Sequence, residues 1–402
     1  MEFTQYEKEM LAGDHGEAKK FAMTVLSKLG TIYGADNMVE VVSAQIMAHY
    51  GSLHDAGLEL MEKFVAMGGE YCIPTTEDPA SVPFRCWREI GIDEGYYEKQ
   101  VRLKTAVLKL GGQPTWTCTP YYAGNVPRFG QNVAWAESSA VSFANSVLGA
   151  RTNRNPAGLN SCVAITGRMA NFGLYKKENR YGKVLIKVKA KELSNLDYNT
   201  IGYITGKIVG NRIPVFRGIP NTVTNDNLKY LGAAAASGGA VSMYHVPGVT
   251  PEAINEDPFG GKRPEELFSI GREELNRATA ELNTAVGEPD LVALGCPHYS
   301  LPEIRKVADL LRGKQIKKGK DLWIYTSEAF CNLAKEMGLA DIIEQAGGRI
   351  LEGNCLVISP MGKTKYRVIM TDSGKFAYYL PSEHELSIKY AETEDCIRAI
   401  VS

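Results

Sequence analysis

Hydrophobic residues in the first hundred positions recur at helical spacing. Three segments show this pattern, and each ends at glycine: YEKEMLAGDHGEAKKFAMTVLSKLGTIYG, LHDAGLELMEKFVAMGG and EGYYEKQVRLKTAVLKLGG. Apolar residues on one face followed by a glycine stop are typical of amphipathic helices. The pattern therefore predicts a mainly helical N-terminal region over residues 1–112.

Short apolar runs alternate with helical patterns in the rest of the chain. The segment KVLIKVKAKEL alternates polar and apolar residues as a half-buried strand does. Residues 247–268 are rich in proline and glycine and predict a long connection, and a helix is expected over 265–286. From residue 287 the alternation is regular, with predicted strands PDLVALG, DLWIYT and RILEGNCLVI and predicted helices LPEIRKVADLLRG and SEAFCNLAKEMGLADIIEQAGG.

Strand and helix alternation of this kind predicts parallel sheets joined by right-handed crossovers. In such sheets, ligands bind beyond the carboxyl ends of the strands. We therefore predict an α/β, multi-domain fold with mostly parallel sheets and a cleft at the strand carboxyl ends. The 402 residues are enough for two or three domains. Besides the N-terminal region, we predict a central α/β domain at 113–285 and a C-terminal α/β domain at 286–402.

Composition and charge narrow the class of protein. Hydrophobic residues make up 44% and charged residues 23%, as in ordinary soluble globular proteins. The net charge of −1 gives no bulk electrostatic attraction to nucleic acid or to an anionic membrane. The first residues carry no apolar stretch of signal-peptide type. We expect a cytoplasmic protein with neither a nucleic-acid nor a membrane partner.

Three of the eight cysteines lie where ligands are expected. Cys296, in LGCPHYS, and Cys355, in GNCLVISP, follow predicted strands or turns, and Cys118 lies in TWTCTPYYAGN. No two cysteines form a C-x-x-C pair, which disfavours zinc fingers and thioredoxin-like sites. Three thiolates can hold an iron–sulfur cluster and leave one iron open to substrate oxygen. Another kind of zinc site, a single nucleophile or no site at all remain alternatives from the residues alone.

Residues 132–155, NVAWAESSAVSFANSVLGARTNRN, combine small and hydroxyl side chains with charges at both ends. Free N–H groups and hydroxyls at a helix start can meet a polar ligand, and guanidinium groups suit a carboxylate or phosphate. The candidate substrate-binding residues here are Ser138, Ser139, Arg151, Asn153 and Arg154, with the acid Glu137 before them. The alternatives are helix capping by the first residues, a salt bridge at Arg151 and loop ordering by Asn153 and Arg154.

A family resemblance follows from six motifs in collinear order across nearly the whole chain. They are CTPYYAGN, AWAESSAVSFANSVLGARTNRN, AITGR, HVPGVTPEA, LGCPHYS and TDSGK. Together they resemble the large, catalytic subunit of the aconitase X family, which are hydro-lyases related to aconitase. The resemblance implies dehydration of a small hydroxy acid, with phosphomevalonate and cis-3-hydroxy-L-proline as the substrates of known members.

The resemblance also implies the cofactor and the partner. The three matching cysteines, Cys118, Cys296 and Cys355, would hold an iron–sulfur cluster, expected to be 4Fe–4S with 2Fe–2S as the alternative. A small swivelling-domain subunit would supply a catalytic serine as the base that takes the carbon-bound proton. If this chain works alone, Glu137 or His298 would have to take that role.

Two residues near the C-terminus complete the predicted substrate site. Ser373 and Lys375, in TDSGK, form an anion-holding turn in this hypothesis and a plain hairpin tip in the alternative.

Two other functions compete with the leading one. One is a non-catalytic cluster-binding or regulatory subunit with an aconitase-like fold, and the other is a cluster-free zinc enzyme.

Overall fold

The structure is a computed structural model that describes residues 1–361 and 365–402 of the chain. Helices and strands alternate from residue 168 onward, after a first part that is mainly helical. The helices are α1 Gln5–Ala12, α2 Glu17–Ile32, α3 Tyr50–Ala66, α4 Glu94–Lys109, α5 Ser138–Ser146, α6 Ala157–Thr166, α7 Asn195–Val209, α8 Asn225–Gly238, α9 Arg272–Leu282, α10 Leu301–Leu311, α11 Glu328–Glu336, α12 Leu339–Gln345, α13 Gly374–His384 and α14 Thr393–Ile400. The strands are β1 Met38–Glu40, β2 Ala44–Ile46, β3 Thr75–Glu77, β4 Arg168–Ala170, β5 Val184–Val188, β6 Pro214–Arg217, β7 Glu266–Ile270, β8 Leu291–Tyr299, β9 Asp321–Thr326, β10 Arg349–Glu352, β11 Val368–Thr371 and β12 Ser387–Tyr390.

Three of the four sheets are parallel, as the alternation predicted. A five-stranded sheet has the order β10-β9-β8-β11-β12, a three-stranded sheet has the order β6-β5-β7, and β2 pairs with β3. Only the β1–β4 pair is antiparallel among the strands of the described residues. The predicted α/β fold with mostly parallel sheets is therefore confirmed.

Each part of the chain has its own hydrophobic core. Helices α2, α3, α4 and α6 pack around one core that also holds β2, and the three-stranded sheet packs against α7 and α8 in a second. The five-stranded sheet has a core on each of its faces. The domain boundaries predicted at 112/113 and 285/286 stay a prediction.

Local chemistry changes two of the predicted elements. The first amphipathic segment is two helices, because Gly13 ends α1 with a left-handed φ of 102° and the chain turns before α2. The helix expected over 265–286 is instead the strand β7 followed by α9. Glu274 accepts a hydrogen bond from the backbone N–H of Gly271 and so fixes the start of α9.

The carboxyl ends of several strands point to one region of the molecule. Close packing of β8 against β9 depends on Gly295, whose φ is +99° and whose Cβ would lie 2.2 Å from the carbonyl oxygen of Tyr325. A side chain there would push the strands apart at the position next to Cys296.

Among the described residues, no helix is both long and apolar enough to cross a membrane.

Glu77, at the end of β3, is fully buried, and within residues 1–361 and 365–402 neither carboxylate oxygen has a hydrogen-bond partner. Burial raises the pKa of Glu77 well above its usual value. The folded protein then holds a proton that the unfolded chain releases, so Glu77 lowers the free energy of unfolding by about 1.4 kcal/mol per pH unit between the unfolded pKa of about 4.3 and its raised folded pKa. We expect Glu77→Gln to remove this slope, measured by urea unfolding between about pH 5 and about pH 8.

The matched control for that measurement is Glu70→Gln, because Glu70 is exposed and lies near the same strand. This control should keep the wild-type slope. Equal slopes for wild type and Glu77→Gln would show that Glu77 is ionised in the folded protein.

Candidate active site

The three predicted thiols line one cavity of about 510 Å³. Cys296 lies within β8, Cys355 follows β10 after a turn, and Cys118 lies in the loop that runs beside the end of β3. This loop is held there because the Thr117 backbone N–H donates to the Glu77 carbonyl oxygen at 2.9 Å. The cavity therefore lies at the carboxyl ends of parallel strands, as predicted.

Two of the cysteine loops also pack against each other. Trp116, two residues before Cys118, has a left-handed φ of 42°. Its Cβ would lie 3.1 Å from a Cβ built on Gly353, two residues before Cys355. A non-glycine residue in the left-handed region costs free energy that the surrounding packing must offset. Glycine at 353 leaves the space into which Trp116 turns.

The donor set fits an iron–sulfur cluster. Burial raises the pKa of all three thiols, to about 11 for Cys355. Lys375 lowers the pKa of Cys296 and of Cys355, which favours their thiolate forms. The Cys118 sulfur also accepts a hydrogen bond from a backbone N–H at 3.2 Å. Soft thiolate ligands in a buried, hydrogen-bonded setting are those that hold such clusters.

A single metal ion fits less well. Among residues 1–361 and 365–402, no three His, Cys, Asp or Glu side chains are grouped closely enough to hold one ion. A zinc site with tetrahedral geometry would need such a group of ligands around one centre. Thiolates that bind different irons of one cluster do not need to meet at a single point.

An ion pair between Glu137 and Lys375 spans the cavity wall. Lys375 donates to the Glu137 carboxylate. The Glu137 side chain is only 9% exposed and that of Lys375 only 13%. Burial raises the pKa of Glu137, but Lys375, the Ser139 hydroxyl and the Ala140 backbone N–H together hold it below its usual value. Burial lowers the pKa of Lys375 and Glu137 raises it, so that the pKa of the lysine stays well above its usual value. Both groups are therefore charged at neutral pH.

Glu137 also starts helix α5, which bears on its predicted role as a base. Its carboxylate accepts the Ala140 backbone N–H at 2.8 Å and is the N-cap of the helix. A carboxylate that is capped, paired and ionised binds protons weakly, which limits its strength as a general base. Its catalytic role stays a prediction, and the structure shows a structural one.

The predicted serines divide into cavity and support residues. Ser138 lines the cavity, and its hydroxyl lies 3.3 Å from the Lys375 amine. Ser139 is buried and donates to the Glu137 carboxylate.

Ser373 is fully buried. Its hydroxyl accepts the Phe376 backbone N–H as the N-cap of α13 and donates to the Cys296 carbonyl oxygen. Ser373 thus joins the start of α13, which carries Lys375, to the segment that carries Cys296.

The two predicted arginines lie in different places. Arg154 lines the cavity and is exposed, and in the described part of the chain its guanidinium has no hydrogen-bond or ion-pair partner. Arg151 instead donates to the Tyr175 carbonyl oxygen at 3.2 Å and does not line the cavity. Asn153 is also directed elsewhere, since its amide bonds the Phe172 carbonyl and the Leu174 N–H. Of these three residues, Arg154 lines the cavity, and the substrate-binding roles of Arg151 and Asn153 stay predictions.

His298 is buried behind the cysteines, with its ring nitrogens engaged. Nδ1 lies 3.0 Å from the Thr117 hydroxyl, and Nε2 lies 2.9 Å from the Asn354 carbonyl oxygen. The ring is not part of the cavity lining. A role as base in this chain stays a prediction.

The cavity lining also contains a histidine and an aspartate that were not predicted to be functional. His49 and Asp78 follow β2 and β3, and their Nε2 and Oδ2 atoms lie 3.6 Å apart. Burial lowers the pKa of His49 to about 4, and burial together with Glu137 raises the pKa of Asp78 well above its usual value. The signal that could have found them is their position within three residues of the ends of two short parallel strands, the same signal that pointed to Cys355.

Comparison with known proteins places the chain in a family. Models of the first, second and third domains of aconitase X match residues 1–178, 182–280 and 289–402. The structure of aconitase X from Thermococcus kodakaraensis in its holo-form is similar, with a TM-score of 0.91 and 39% identity over the whole of both chains.

Relatives with curated names are dehydratases. A phosphomevalonate dehydratase large subunit from Methanocaldococcus jannaschii is 41% identical, and the match covers 99% of this chain and all of that subunit. A cis-3-hydroxy-L-proline dehydratase from Pseudomonas aeruginosa is 36% identical over 98% of this chain but only 69% of that enzyme. The words "large subunit" in the first name imply a smaller partner chain. The chain therefore belongs to the aconitase X family, and it is a hydro-lyase.

Proposed function

We propose that the chain is the cluster-binding large subunit of a dehydratase that removes water from (R)-5-phosphomevalonate. The observation that carries the proposal is the cavity that joins three thiols to two cations, Lys375 and Arg154. Phosphomevalonate has an anionic group at each end, a carboxylate and a phosphate. Similarity over full length to the large subunits of phosphomevalonate dehydratases supports the same substrate.

Cys118, Cys296 and Cys355 would hold the iron–sulfur cluster, of 4Fe–4S type in this proposal. When bound, the cluster supplies a Lewis-acid iron that makes the substrate hydroxyl a better leaving group. The thiols are protonated in its absence, so they lose their protons as they become ligands.

The cations of the cavity orient the substrate. Lys375, already paired with Glu137, presents its charge beside Ser138 and can hold the substrate carboxylate. Arg154 lies beside Pro156 at the start of α6, a helix end without a side-chain cap, where a phosphate would meet both the guanidinium and free N–H groups. The proton on the carbon next to the leaving group would go to a serine of the small subunit.

The experiment that tests the proposal is anaerobic co-production of the chain with its small subunit, with both phosphomevalonate and cis-3-hydroxy-L-proline offered as substrates. Loss of water is followed by mass spectrometry. Turnover of phosphomevalonate alone is expected. Turnover of hydroxyproline alone would contradict the substrate assignment and leave the reaction class intact. Turnover of neither compound would contradict the proposed dehydration of phosphomevalonate.

Arg154→Ala should raise the KM for phosphomevalonate by about 10- to 100-fold, because a charge-assisted contact to phosphate is lost, with a smaller change in kcat. The matched comparison is Arg151→Ala, in which the guanidinium lost is bound to the Tyr175 carbonyl oxygen. Steady-state kinetics of the two variants decide which arginine meets the substrate. A larger rise in KM for Arg151→Ala would contradict the placement of the phosphate.

A further inference from the structure

We propose that His298 is a positioning residue that ties the three cysteine-bearing segments together before a cluster is bound. These segments are the loop with Cys118, the end of β8 with Cys296 and the turn with Cys355. The inference rests on the proposed cluster. It gives His298 a role that does not involve proton transfer, through contacts with residues next to the cysteines.

The evidence is that one residue connects three distant parts of the chain. His298 is two residues after Cys296 in the sequence. Its ring bonds Thr117, the residue before Cys118, and Asn354, the residue before Cys355. Its backbone N–H donates directly to the Cys118 sulfur at 3.2 Å. Each cysteine-bearing segment therefore contacts His298 or includes it.

The chemistry of the partners assigns the tautomer of the ring. The Asn354 carbonyl oxygen can only accept, so Nε2 carries the hydrogen. Nδ1 is then an acceptor, and the Thr117 hydroxyl donates to it. With 2% of its surface exposed, His298 keeps both bonds away from competing water. Both ring nitrogens are used, which leaves neither free to act on a substrate.

The segment that carries His298 is itself held at two further points. The buried Lys229 amine lies 3.5 Å from the His298 carbonyl oxygen and pairs with Asp226 and Glu303. Ser373 donates to the Cys296 carbonyl oxygen. The backbone from which the His298 ring extends is therefore fixed. The two ring hydrogen bonds in turn fix Thr117 and Asn354, and so the segments that carry Cys118 and Cys355. Ligands held in place by such partners bind metal centres more tightly than free ones.

Thr117→Val is the variant of choice, because valine keeps the volume of threonine but cannot donate to Nδ1. Thr117→Ser, which restores the hydroxyl, is the rescue variant. His298→Leu removes both ring bonds. The matched control is His245→Leu, since His245 is equally buried and its Nε2 bonds the Arg180 carbonyl oxygen away from the cavity.

Two measurements are made on the full chain. The first is iron and sulfide content with the electron paramagnetic resonance spectrum after anaerobic reconstitution at limiting iron. The second is the rate of alkylation at each cysteine in cluster-free protein, resolved by mass spectrometry. We expect Thr117→Val and His298→Leu to weaken cluster binding by about 10- to 100-fold and to change the spectrum. Alkylation of Cys118 and Cys355 should become several-fold faster, with Thr117→Ser and His245→Leu close to wild type.

Cluster content, spectrum and alkylation rates that match those of His245→Leu would overturn the inference. Wild-type protein that takes up no cluster would overturn the proposed cofactor, and the alkylation rates would still decide whether His298 holds the loops. Failure of Thr117→Ser to restore both readouts would assign the effect to side-chain packing and would also overturn the inference.

Discussion

Cys118→Ser is expected to bleach the anaerobically purified protein and to lower dehydratase activity by more than about 100-fold, since loss of even an outer partner of a metal ligand costs 10- to 100-fold. The physical reason is the loss of one of three thiolates in a cavity where the described residues place no fourth cysteine. A serine hydroxyl is a poor replacement, because iron–sulfur clusters favour soft sulfur ligands.

Cys396→Ser is the matched control. Cys396 is fully buried in the core behind the five-stranded sheet, and its thiol lies 3.6 Å from the Ala391 carbonyl oxygen. The serine hydroxyl can make the same contact, so colour, iron content and kcat should remain near those of wild type. Brown, active protein from Cys118→Ser would exclude Cys118 as a ligand and remove the main support for the proposed cofactor.

The predictable part of the fold is the part whose patterns are local. In the C-terminal region, DLWIYT is β9 and LPEIRKVADLLRG contains α10. Both could be predicted because buried strands and amphipathic helices have a characteristic spacing of apolar residues. Strand β7 was missed because its sequence lacks such a spacing of apolar residues. It lies at an edge of its sheet and buries only Ile270 fully, so it has little apolar alternation to detect.

The site divides along the same line. The position of Cys355 after a strand could be inferred from the sequence, since the carboxyl ends of parallel strands meet at one edge. Cys296 was expected just after a strand, but β8 continues to Tyr299 and Cys296 lies within it. The ion pair between Glu137 and Lys375 joins residues 238 positions apart, and the separation of Arg151 from Arg154 depends on which way a loop turns. No local pattern encodes such contacts, because they arise only when distant segments pack.

Lys375→Met should be among the most destabilising single changes in the site, at about 3–5 kcal/mol, because it leaves the buried Glu137 carboxylate without its partner. It should also nearly abolish turnover. Because the folded pKa of Glu137 is lowered in wild type, the stability that the pair contributes is present above the unfolded pKa of about 4.3 and is lost as the pH falls further. In Lys375→Met the pKa of Glu137 rises, so protonation relieves the penalty as the pH is lowered from about 7 to about 5. Urea unfolding at both pH values measures this.

The double variant Glu137→Gln/Lys375→Met separates stability from function. It leaves no unpaired charge, and the glutamine oxygen can still accept the Ala140 backbone N–H that caps α5. We therefore expect it to recover most of the lost free energy of unfolding, since neutral replacements of both partners of a buried pair are often tolerated. Turnover should stay as low as in the single variant, because the cation proposed to hold the substrate carboxylate is absent. Recovery of turnover together with stability would mean that Lys375 serves only to neutralise Glu137, and the substrate carboxylate would then have to be held by another group of the cavity.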